Sequence, residues 1–386
     1  MSDTAAFATF SGTSRFHSLD GWRFFAVLIV IKSHVAFAPS KLQILNWGYL
    51  GVDLFFVISG FLITTLLIRE RAQFGNISLK KFYLRRTFRI FPIYYLLVLS
   101  FALFYLVISP WRPNGWAFYA WSFPVLLTYT QDFVLIAGVF FHCWSLAVEE
   151  QFYLVWPAIE KYLAGTGKWT IFAVLLLVNQ LVNFGAADRM ITWIYGHADA
   201  RLMPVWGVTF TPILLGVLLA HLLADRATFN AFFRLLSNRL TPIVILLAIA
   251  ASIQWIPQDL EGPPRLTLHI LLALLVASVV IAPGNYLQPV LDHPLIVRLG
   301  TISYGIYLYH VLLLMGVERV LARLGGAFVS PLLVFLVTIA VTIGAAELSY
   351  RYIETPFLRL KARLGRRGQA VAVPPAATSE KRVAVP

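Results

Sequence analysis

Cysteine is almost absent from this sequence, with Cys143 as the single example in 386 residues. A lone thiol cannot form an intramolecular disulfide, and it excludes a metal site built from several cysteines. Charge is scarce as well: charged residues make up 13% of the chain, about half of the roughly 25% that is usual in soluble proteins. So little charge cannot cover a water-soluble surface, which excludes an ordinary soluble globular protein.

Hydrophobic residues make up 59% of the chain. They fall in blocks long enough to cross a bilayer core, which takes about 20 residues of helix. We therefore expect an all-α fold, a polytopic transmembrane helical bundle of about ten spans. The predicted spans are residues 20–37, 48–68, 90–108, 144–161, 169–184, 204–223, 240–256, 266–282, 300–317 and 330–350. We expect the aromatic stretch 109–143 to form an outer loop that partly re-enters the membrane.

The basic residues predict how the bundle lies in the membrane. The formal net charge is +13, and the cations cluster between spans two and three, between spans six and seven, and after span ten. Lys and Arg favour the cytoplasmic side, so we expect both termini there. Such clusters attract anionic membrane lipids, and no nucleic-acid partner is expected. We predict a cytoplasmic segment at 1–17, a transmembrane domain at 18–357 and a basic, disordered cytoplasmic tail at 358–386.

The first span, GWRFFAVLIVIKSHVAF, carries ionisable residues that bilayer segments normally lack. Arg23 and His34 are eleven residues apart, which puts them on one helical face and about 16 Å apart along the axis. A histidine at that depth can serve as a general base. The alternative for His34 is a structural hydrogen bond between helices. The alternative for Arg23 is a side chain that snorkels to the membrane interface. We expect Lys32 to point outward to the interface.

The second span, GYLGVDLFFVISGFLITTLL, combines small residues with one acid. The small residues permit close approach of a neighbouring helix; they are Gly48, Gly51, Ser59 and Gly60. Asp53 has two interpretations. It is either an acid favoured by the dipole at a helix N-terminus or the partner of a cation such as His34.

The stretch KKFYLRRTFRIFPIYY before span three is strongly basic. Its cations are Lys80, Lys81, Arg85, Arg86 and Arg89. Positive-inside anchoring explains them, and so does a docking site for a phosphate-bearing ligand, because arginine forks bind phosphate well. We expect Pro92 to open span three in its first turn.

The stretch HCWSLAVEEQFYLVWP begins span four with two acids. Ser145 is a candidate N-cap, and Glu149 shares a helical face with Tyr153. Adjacent carboxylates point in different directions, so Glu149 or Glu150 should face protein or water. Either acid can orient or charge a histidine.

The stretch SYGIYLYH in span nine places a second histidine within the membrane. Ser303, Tyr307 and His310 share one broad helical face. His310 is either a satisfied structural residue or part of a site. The spacing of a His-x-x-Glu-His metal motif is absent, and no metal is predicted.

Five stretches together resemble the acyltransferase 3 family of bacterial membrane-bound acyltransferases. They are SLDGWRFFAVLIVIKSHV, GVDLFFVISGFLIT, RRTFRIFPIYY, WSLAVEEQFYLVWP and ISYGIYLYH, in the order of the family's signatures. The resemblance covers residues 18–357. Arg23 and His34 match the arginine–histidine pair of the family's first helix.

The resemblance implies a reaction. Family members move an acyl group, commonly acetyl, from cytoplasmic acyl-CoA to an extracytoplasmic or lipid-linked acceptor. Lipopolysaccharide and exopolysaccharide sugars are the expected acceptors, with a macrolide-like small molecule as the alternative. It also implies a multi-pass protein of the bacterial inner membrane with no bound cofactor, working with acyl-CoA and with polysaccharide assembly proteins. Some members add a C-terminal SGNH-type hydrolase domain; we expect transfer here to finish within the membrane domain or on a separate protein.

We assign expected roles to the polar residues on this basis. The catalytic candidates are His34, Glu149, Glu150, Asp53 and His310. The acyl-CoA-binding candidates are Arg23, Arg85, Arg86 and Arg89. The supporting candidates are Ser59, Gly60, Trp144, Ser145, Tyr153, Ser303 and Tyr304. The competing hypotheses are a transporter of a sugar or lipid, and a scaffold within a polysaccharide assembly complex.

Overall fold

Helices form all the regular structure in the described part of the chain. The structure is a computed structural model, and it describes residues 2–37, 47–108, 113–134, 136, 138–163, 165–194, 209–255, 261–325 and 329–360. The α-helices are α1 (Asp3–Gly12), α2 (His17–His34), α3 (Tyr49–Phe74), α4 (Leu79–Ile108), α5 (Pro113–Leu127), α6 (Trp144–Tyr162), α7 (Thr166–Asn183), α8 (Asp188–Ile194), α9 (Thr211–Ala224), α10 (Arg226–Leu236), α11 (Thr241–Trp255), α12 (Gly262–Ile281), α13 (Gln288–Leu291), α14 (Pro294–Thr301), α15 (Ser303–Gly325) and α16 (Pro331–Ser349). A 3-10 segment, Gly138–Cys143, precedes α6, and a π-helical turn, Tyr350–Glu354, follows α16. The all-α prediction is confirmed for these residues.

Several helices are suited to cross a membrane. Among the described residues, five helices are long and apolar enough: α3, α4, α12, α15 and the helix Pro331–Leu360. Two bent pairs, α7 with α8 and α9 with α10, raise the number to seven if each pair is one span. The chain is therefore a multi-pass helical membrane protein. Ten spans and cytoplasmic termini stay predictions, and most of the predicted tail lies outside the described residues.

Helix boundaries differ from the prediction where polar residues are concerned. α2, which corresponds to the first predicted span, ends at His34 and not at residue 37, so His34 is its last residue. α4 begins at Leu79 and not at residue 90, because the Ser78 hydroxyl accepts a hydrogen bond from the Lys81 N–H at 3.4 Å and so caps the helix. The basic stretch is thus helical. Pro92 lies inside α4, so its predicted place in the first turn is wrong.

Glycines let α3 pack closely against its neighbours. A Cβ added at Gly60 would lie 2.0 Å from the carbonyl oxygen of Ile213 in α9. One added at Gly51 would lie 2.3 Å from the carbonyl oxygen of Ala26 in α2. The predicted close helix approach at these glycines is confirmed, and it fixes α3 between two neighbours.

Gly60→Ala is expected to destabilise the bundle, because the new methyl group must push α9 away. Overpacking of this kind costs about 1–3 kcal/mol. The matched control is Gly316→Ala in α15, where an added Cβ meets nothing within 4 Å. Thermal unfolding in detergent should show a lower Tm for Gly60→Ala only. An equal shift in both variants would contradict the close packing.

The chain folds back on itself after α4. The Tyr94 hydroxyl of α4 donates to the carbonyl oxygen of Leu126 near the end of α5, at 2.9 Å. The ring of Tyr119 in α5 stacks on that of Tyr105, with centroids 5.1 Å apart. α5 therefore runs antiparallel to α4 and ends beside its middle. From there the chain reaches the 3-10 segment and α6, which brings both toward the end of α2.

Candidate active site

Three histidines meet where α2 ends. His310 in α15 places its Nε2 3.3 Å from Nδ1 of His34, and the two ring centroids are 5.0 Å apart. The ring of His142, from the 3-10 segment, lies 4.7 Å from that of His310. His310 and His142 are buried, whereas His34 is partly exposed. Residues far apart in sequence are thus brought to one point.

Backbone carbonyls define the tautomers of the His34–His310 pair. Nδ1 of His310 lies 2.5 Å from the carbonyl oxygen of Tyr307, and Nδ1 of His34 lies 2.9 Å from that of Val30. A carbonyl oxygen only accepts, so both Nδ1 atoms carry the proton. The single Nδ1 proton of His34 is shared between the carbonyl oxygen of Val30 and Nε2 of His310. Nε2 of His34 is therefore the ring nitrogen with the lone pair, and a histidine acting as a general base takes up a proton at this atom.

A cavity lies beside His34, and it shares part of its wall with a second cavity. The inner cavity has a volume of about 60 Å³, and the outer cavity about 300 Å³. Val52 and Tyr307 line both. His34 and His142 line the outer cavity. Val52 and Tyr307 therefore stand between the histidines of the outer cavity and the inner cavity.

The inner cavity is cationic. Arg23, Arg86 and Arg89 line it together with one carboxylate, Glu149. The Ser59 hydroxyl donates to Oε1 of Glu149 at 2.8 Å, which holds that carboxylate in place. Arg23 has a buried Nε without a hydrogen-bond partner among the described residues. Three guanidinium groups against one carboxylate favour an anionic ligand.

Six of the seven supporting candidates line one of the two cavities, whereas Gly60 packs against α9. Tyr153, Ser303 and Tyr304 line the inner cavity, and the guanidinium of Arg86 lies 4.3 Å from the centre of the Tyr153 ring. Trp144 lines the outer cavity.

Ser145 does not cap α6, so its expected N-cap role is wrong. Cys143 is the N-cap residue, and no side chain bonds the free N–H groups there. The Ser145 hydroxyl instead lies 2.6 Å from the hydroxyl of Tyr307. Tyr307 donates to the carbonyl oxygen of His142 at 2.9 Å. Ser145, Tyr307 and the carbonyl of His142 are thus hydrogen-bonded to one another where the two cavities adjoin.

Two predicted site residues have partners away from the cavities. Oδ2 of Asp53 accepts a hydrogen bond from Nε2 of His269 in α12 at 3.2 Å, and the expected contact with His34 is not made. Arg85 pairs with Glu70 at 3.2 Å. Neither Asp53 nor Arg85 is among the described lining residues of the two cavities.

Glu150 and Lys32 also lie outside the cavity walls. Glu150 is half-buried and is not among the residues that line either cavity. The Nζ of Lys32 lies 5.5 Å from the centre of the Phe37 ring. Of the two adjacent acids, Glu149 is the one that contributes to the cationic cavity.

Two residues near the site were missed by the sequence interpretation. His142 stands at the start of the stretch that gave Glu149, and only its burial against His310 reveals it. Glu354, in the π-helical turn, is buried, and it attracts the guanidinium of Arg89. π-Turns often mark functional sites, but no signal in the sequence predicted this one.

Arg298 in α14 donates a hydrogen bond to Glu347 in α16. This bond raises the pKa of Arg298 and holds the two helices together.

His310→Ala is expected to lower kcat by about 10- to 100-fold, as other losses of an orienting partner do. The change removes one of the two acceptors for Nδ1–H of His34, leaving only the carbonyl of Val30, and so orients Nε2 less well. His310→Gln keeps an amide oxygen that can accept this proton, so it should restore part of the rate. Kinetics of the purified variants check this. Equal loss in both variants would indicate a purely structural role for His310.

These features define a class: a multi-pass helical membrane protein with a cationic cavity that adjoins an aromatic cavity lined by His34 and His142. Residues 16–350 match the family model described as an acyltransferase domain, acyltransferase 3. The chain belongs to the acyltransferase 3 family, and the resemblance noted in the sequence is confirmed. Within the described residues, no group of three or more His, Cys, Asp and Glu side chains is placed to hold a metal ion.

Curated relatives carry O-acetyltransferase names. The peptidoglycan O-acetyltransferase OatA of Listeria monocytogenes is 31% identical over 367 residues, which is 88% of this chain and 55% of the relative. The O-acetyltransferase OatA of Staphylococcus aureus strain NCTC 8325 is 30% identical over 369 residues, 88% of this chain and 56% of the relative. The chain thus spans little more than half the length of these relatives. No solved structure matches it.

Proposed function

We propose that this protein is a membrane O-acyltransferase that moves an acyl group, by default acetyl, from acyl-CoA to a hydroxyl of an extracytoplasmic or lipid-linked glycan. The observation that carries the proposal is the pair of cavities that adjoin at Val52 and Tyr307. One cavity is built to hold an anion, and the other contains a histidine with a free lone pair. A phosphate-bearing acyl donor and a hydroxyl acceptor need these two environments.

We propose an orientation in which the arginine cavity faces the cytoplasm. The basic residues before and within α4 support it, because Lys and Arg favour the cytoplasmic side. Ten spans, cytoplasmic termini and the bacterial inner membrane belong to the same proposal. In this orientation the path from Arg23 to His34 runs from the donor side toward the acceptor side.

The donor phosphates would bind Arg23, Arg86 and Arg89, with Glu149 restraining the guanidinium groups. The pantetheine arm would extend past Val52 and Tyr307 and bring the thioester to His34. The inner cavity, at about 60 Å³, is smaller than acyl-CoA, so donor binding must displace side chains. The Tyr307 ring, which separates the cavities, is the group that must move.

Direct transfer is the simpler of two chemical routes. Nε2 of His34 takes the proton of the acceptor hydroxyl while its oxygen attacks the thioester carbonyl. A C–O bond forms, the C–S bond breaks, and the departing thiolate takes the proton from His34 to give CoA. His310 holds the ring of His34 throughout.

An acyl-histidine is the alternative route. Nε2 of His34 then attacks the thioester carbonyl, an N–C bond forms, the C–S bond breaks and CoA leaves as the thiolate. In a second step the acceptor oxygen attacks the acyl carbon, the N–C bond breaks, and the hydroxyl proton passes to the thiolate. A trapped acyl-protein that is lost in His34→Ala would distinguish this route from direct transfer.

The acceptor is proposed as a glycan because the name of one relative specifies one. The Listeria relative is named for peptidoglycan, so peptidoglycan joins lipopolysaccharide and exopolysaccharide as a candidate acceptor. Partner proteins of polysaccharide assembly are proposed on the same ground.

Mass spectrometry of surface glycans tests the proposed function. Glycans from cells with the gene should carry an acyl group that is missing after deletion. The wild-type gene should restore it, and the His34→Ala gene should not. Identical glycan masses in all four strains would overturn the proposal, whereas proton-coupled sugar uptake without acyl-CoA would favour the transporter hypothesis.

A further inference from the structure

We propose that the outer cavity binds one uncharged sugar ring of the acceptor, and that Tyr49 and Trp144 hold this ring by stacking. The inference rests on the proposed function and adds the chemical class of the bound unit and the residues that select it.

The position of the outer cavity leaves the acceptor as its occupant. A thioester that arrives from the arginine side must pass the shared walls at Val52 and Tyr307 before it reaches His34. The remaining walls of the outer cavity are then beyond the thioester, on the side from which a hydroxyl must attack. At about 300 Å³, the cavity lies at the lower end of the range for small-ligand pockets.

The lining chemistry fits a neutral sugar. The described lining residues include no Lys, Arg, Asp or Glu, so a carboxylate or phosphate would have no direct ion-pair partner among them. The Ser33 hydroxyl donates to the carbonyl oxygen of Val30 at 2.7 Å but can still accept a hydrogen bond, and Nε2 of His34 has a lone pair, so a purely apolar chain would leave both acceptors unpaired. A pyranose has hydroxyls for these groups and C–H faces for the aromatic walls.

Two aromatic rings form a platform at this cavity. The centroids of Tyr49 and Trp144 lie 6.3 Å apart with an interplanar angle of 37°, and Tyr49 is 59% exposed. Buried Phe56 packs edge-on against Trp144 with centroids 6.3 Å apart and restrains it. The negative face of an aromatic ring attracts the C–H bonds of a sugar. Each ring stands on the first residue of a helix, α3 or α6, which gives the platform a rigid base.

Gly48 is what lets this platform sit beside His34. A Cβ added at Gly48 would lie 1.9 Å from Oγ of Ser33. Only a glycine permits the start of α3 to approach the end of α2 so closely. The same contact therefore sets the distance between the Tyr49 ring and the basic nitrogen of His34.

Separate Michaelis constants for donor and acceptor test the inference. The full chain is placed in proteoliposomes with radiolabelled acetyl-CoA. The acceptors are oligosaccharides released from surface glycans of the producing cells, separated into fragments with and without charged sugars. Trp144→Ala and Tyr49→Ala should each raise the KM for uncharged fragments about tenfold and leave the KM for acetyl-CoA unchanged. Trp144→Phe keeps a ring and should show a smaller rise.

Exposed residues elsewhere provide matched controls. Trp193→Ala and Tyr286→Ala remove side chains that are 82% and 58% exposed, and neither should change either KM. A raised KM for acetyl-CoA in Trp144→Ala, or a wild-type preference for charged fragments, would overturn the inference while leaving the proposed function intact. No transfer by the wild-type protein to any fragment would overturn both.

Discussion

His34→Ala is expected to abolish acyl transfer, with a loss of about 10²- to 10⁴-fold in kcat, the range that general-base catalysis supplies. The structure gives the reason: the carbonyl of Val30 and Nε2 of His310 both accept from Nδ1 of His34. Nε2 is thereby fixed as the base, and alanine has no substitute for it. Radiolabel transfer from acetyl-CoA to glycan measures the loss.

His293→Ala is the control for His34→Ala. His293 is exposed and precedes α14, so its loss should leave transfer unchanged. Both variants should insert in the membrane and elute from gel filtration as the wild type does. Wild-type rates in a well-folded His34→Ala variant would contradict the assigned role.

Arg23→Ala is expected to have the second-largest effect, lowering kcat/KM for acetyl-CoA by roughly 10- to 100-fold. Hydrogen bonds to a charged group contribute about 1.5–3 kcal/mol, and Arg23 lines the inner cavity with a buried Nε that has no partner among the described residues. A phosphate oxygen of the donor would supply that partner. The variant should mainly raise the KM for acetyl-CoA, because the arginine binds the donor and does not take part in bond making.

Arg234→Ala is the matched control for Arg23→Ala. The side chain of Arg234 is 76% exposed and pairs with Asp3 on the surface. Its removal should leave the KM for acetyl-CoA unchanged, since exposed ion pairs contribute little. An unchanged KM in Arg23→Ala as well would indicate that Arg23 only anchors α2 at the interface.

The sequence predicted features that depend on one helix at a time. Helical periodicity put Arg23 and His34 on one face, and the cavities that they line do adjoin. Small residues predicted the close packing at Gly60. Burial of apolar blocks predicted the helices themselves. These properties follow from local spacing and need no knowledge of which helices are neighbours.

Pairings between distant helices could not be predicted from the sequence. His34 and His310 are 276 residues apart, and nothing in either stretch shows that they meet. Asp53 had two interpretations, an acid at a helix N-terminus or the partner of a cation such as His34, and the packing of α12 against α3 gives it a third partner, His269. Ser145 was expected to cap α6, but Tyr307 from α15 provides a stronger partner. Each difference arises where tertiary packing competes with a local preference.

Transfer in oriented proteoliposomes is the most direct test of a path that runs from Arg23 to His34. Acetyl-CoA is supplied on one side only and the glycan on the other, with orientation read from protease access to a tagged C-terminus. We expect acetylated glycan only when acetyl-CoA is on the Arg23 side and the glycan is on the His34 side, and none with His34→Ala. Product that forms only when both substrates share one side would contradict transfer across the membrane.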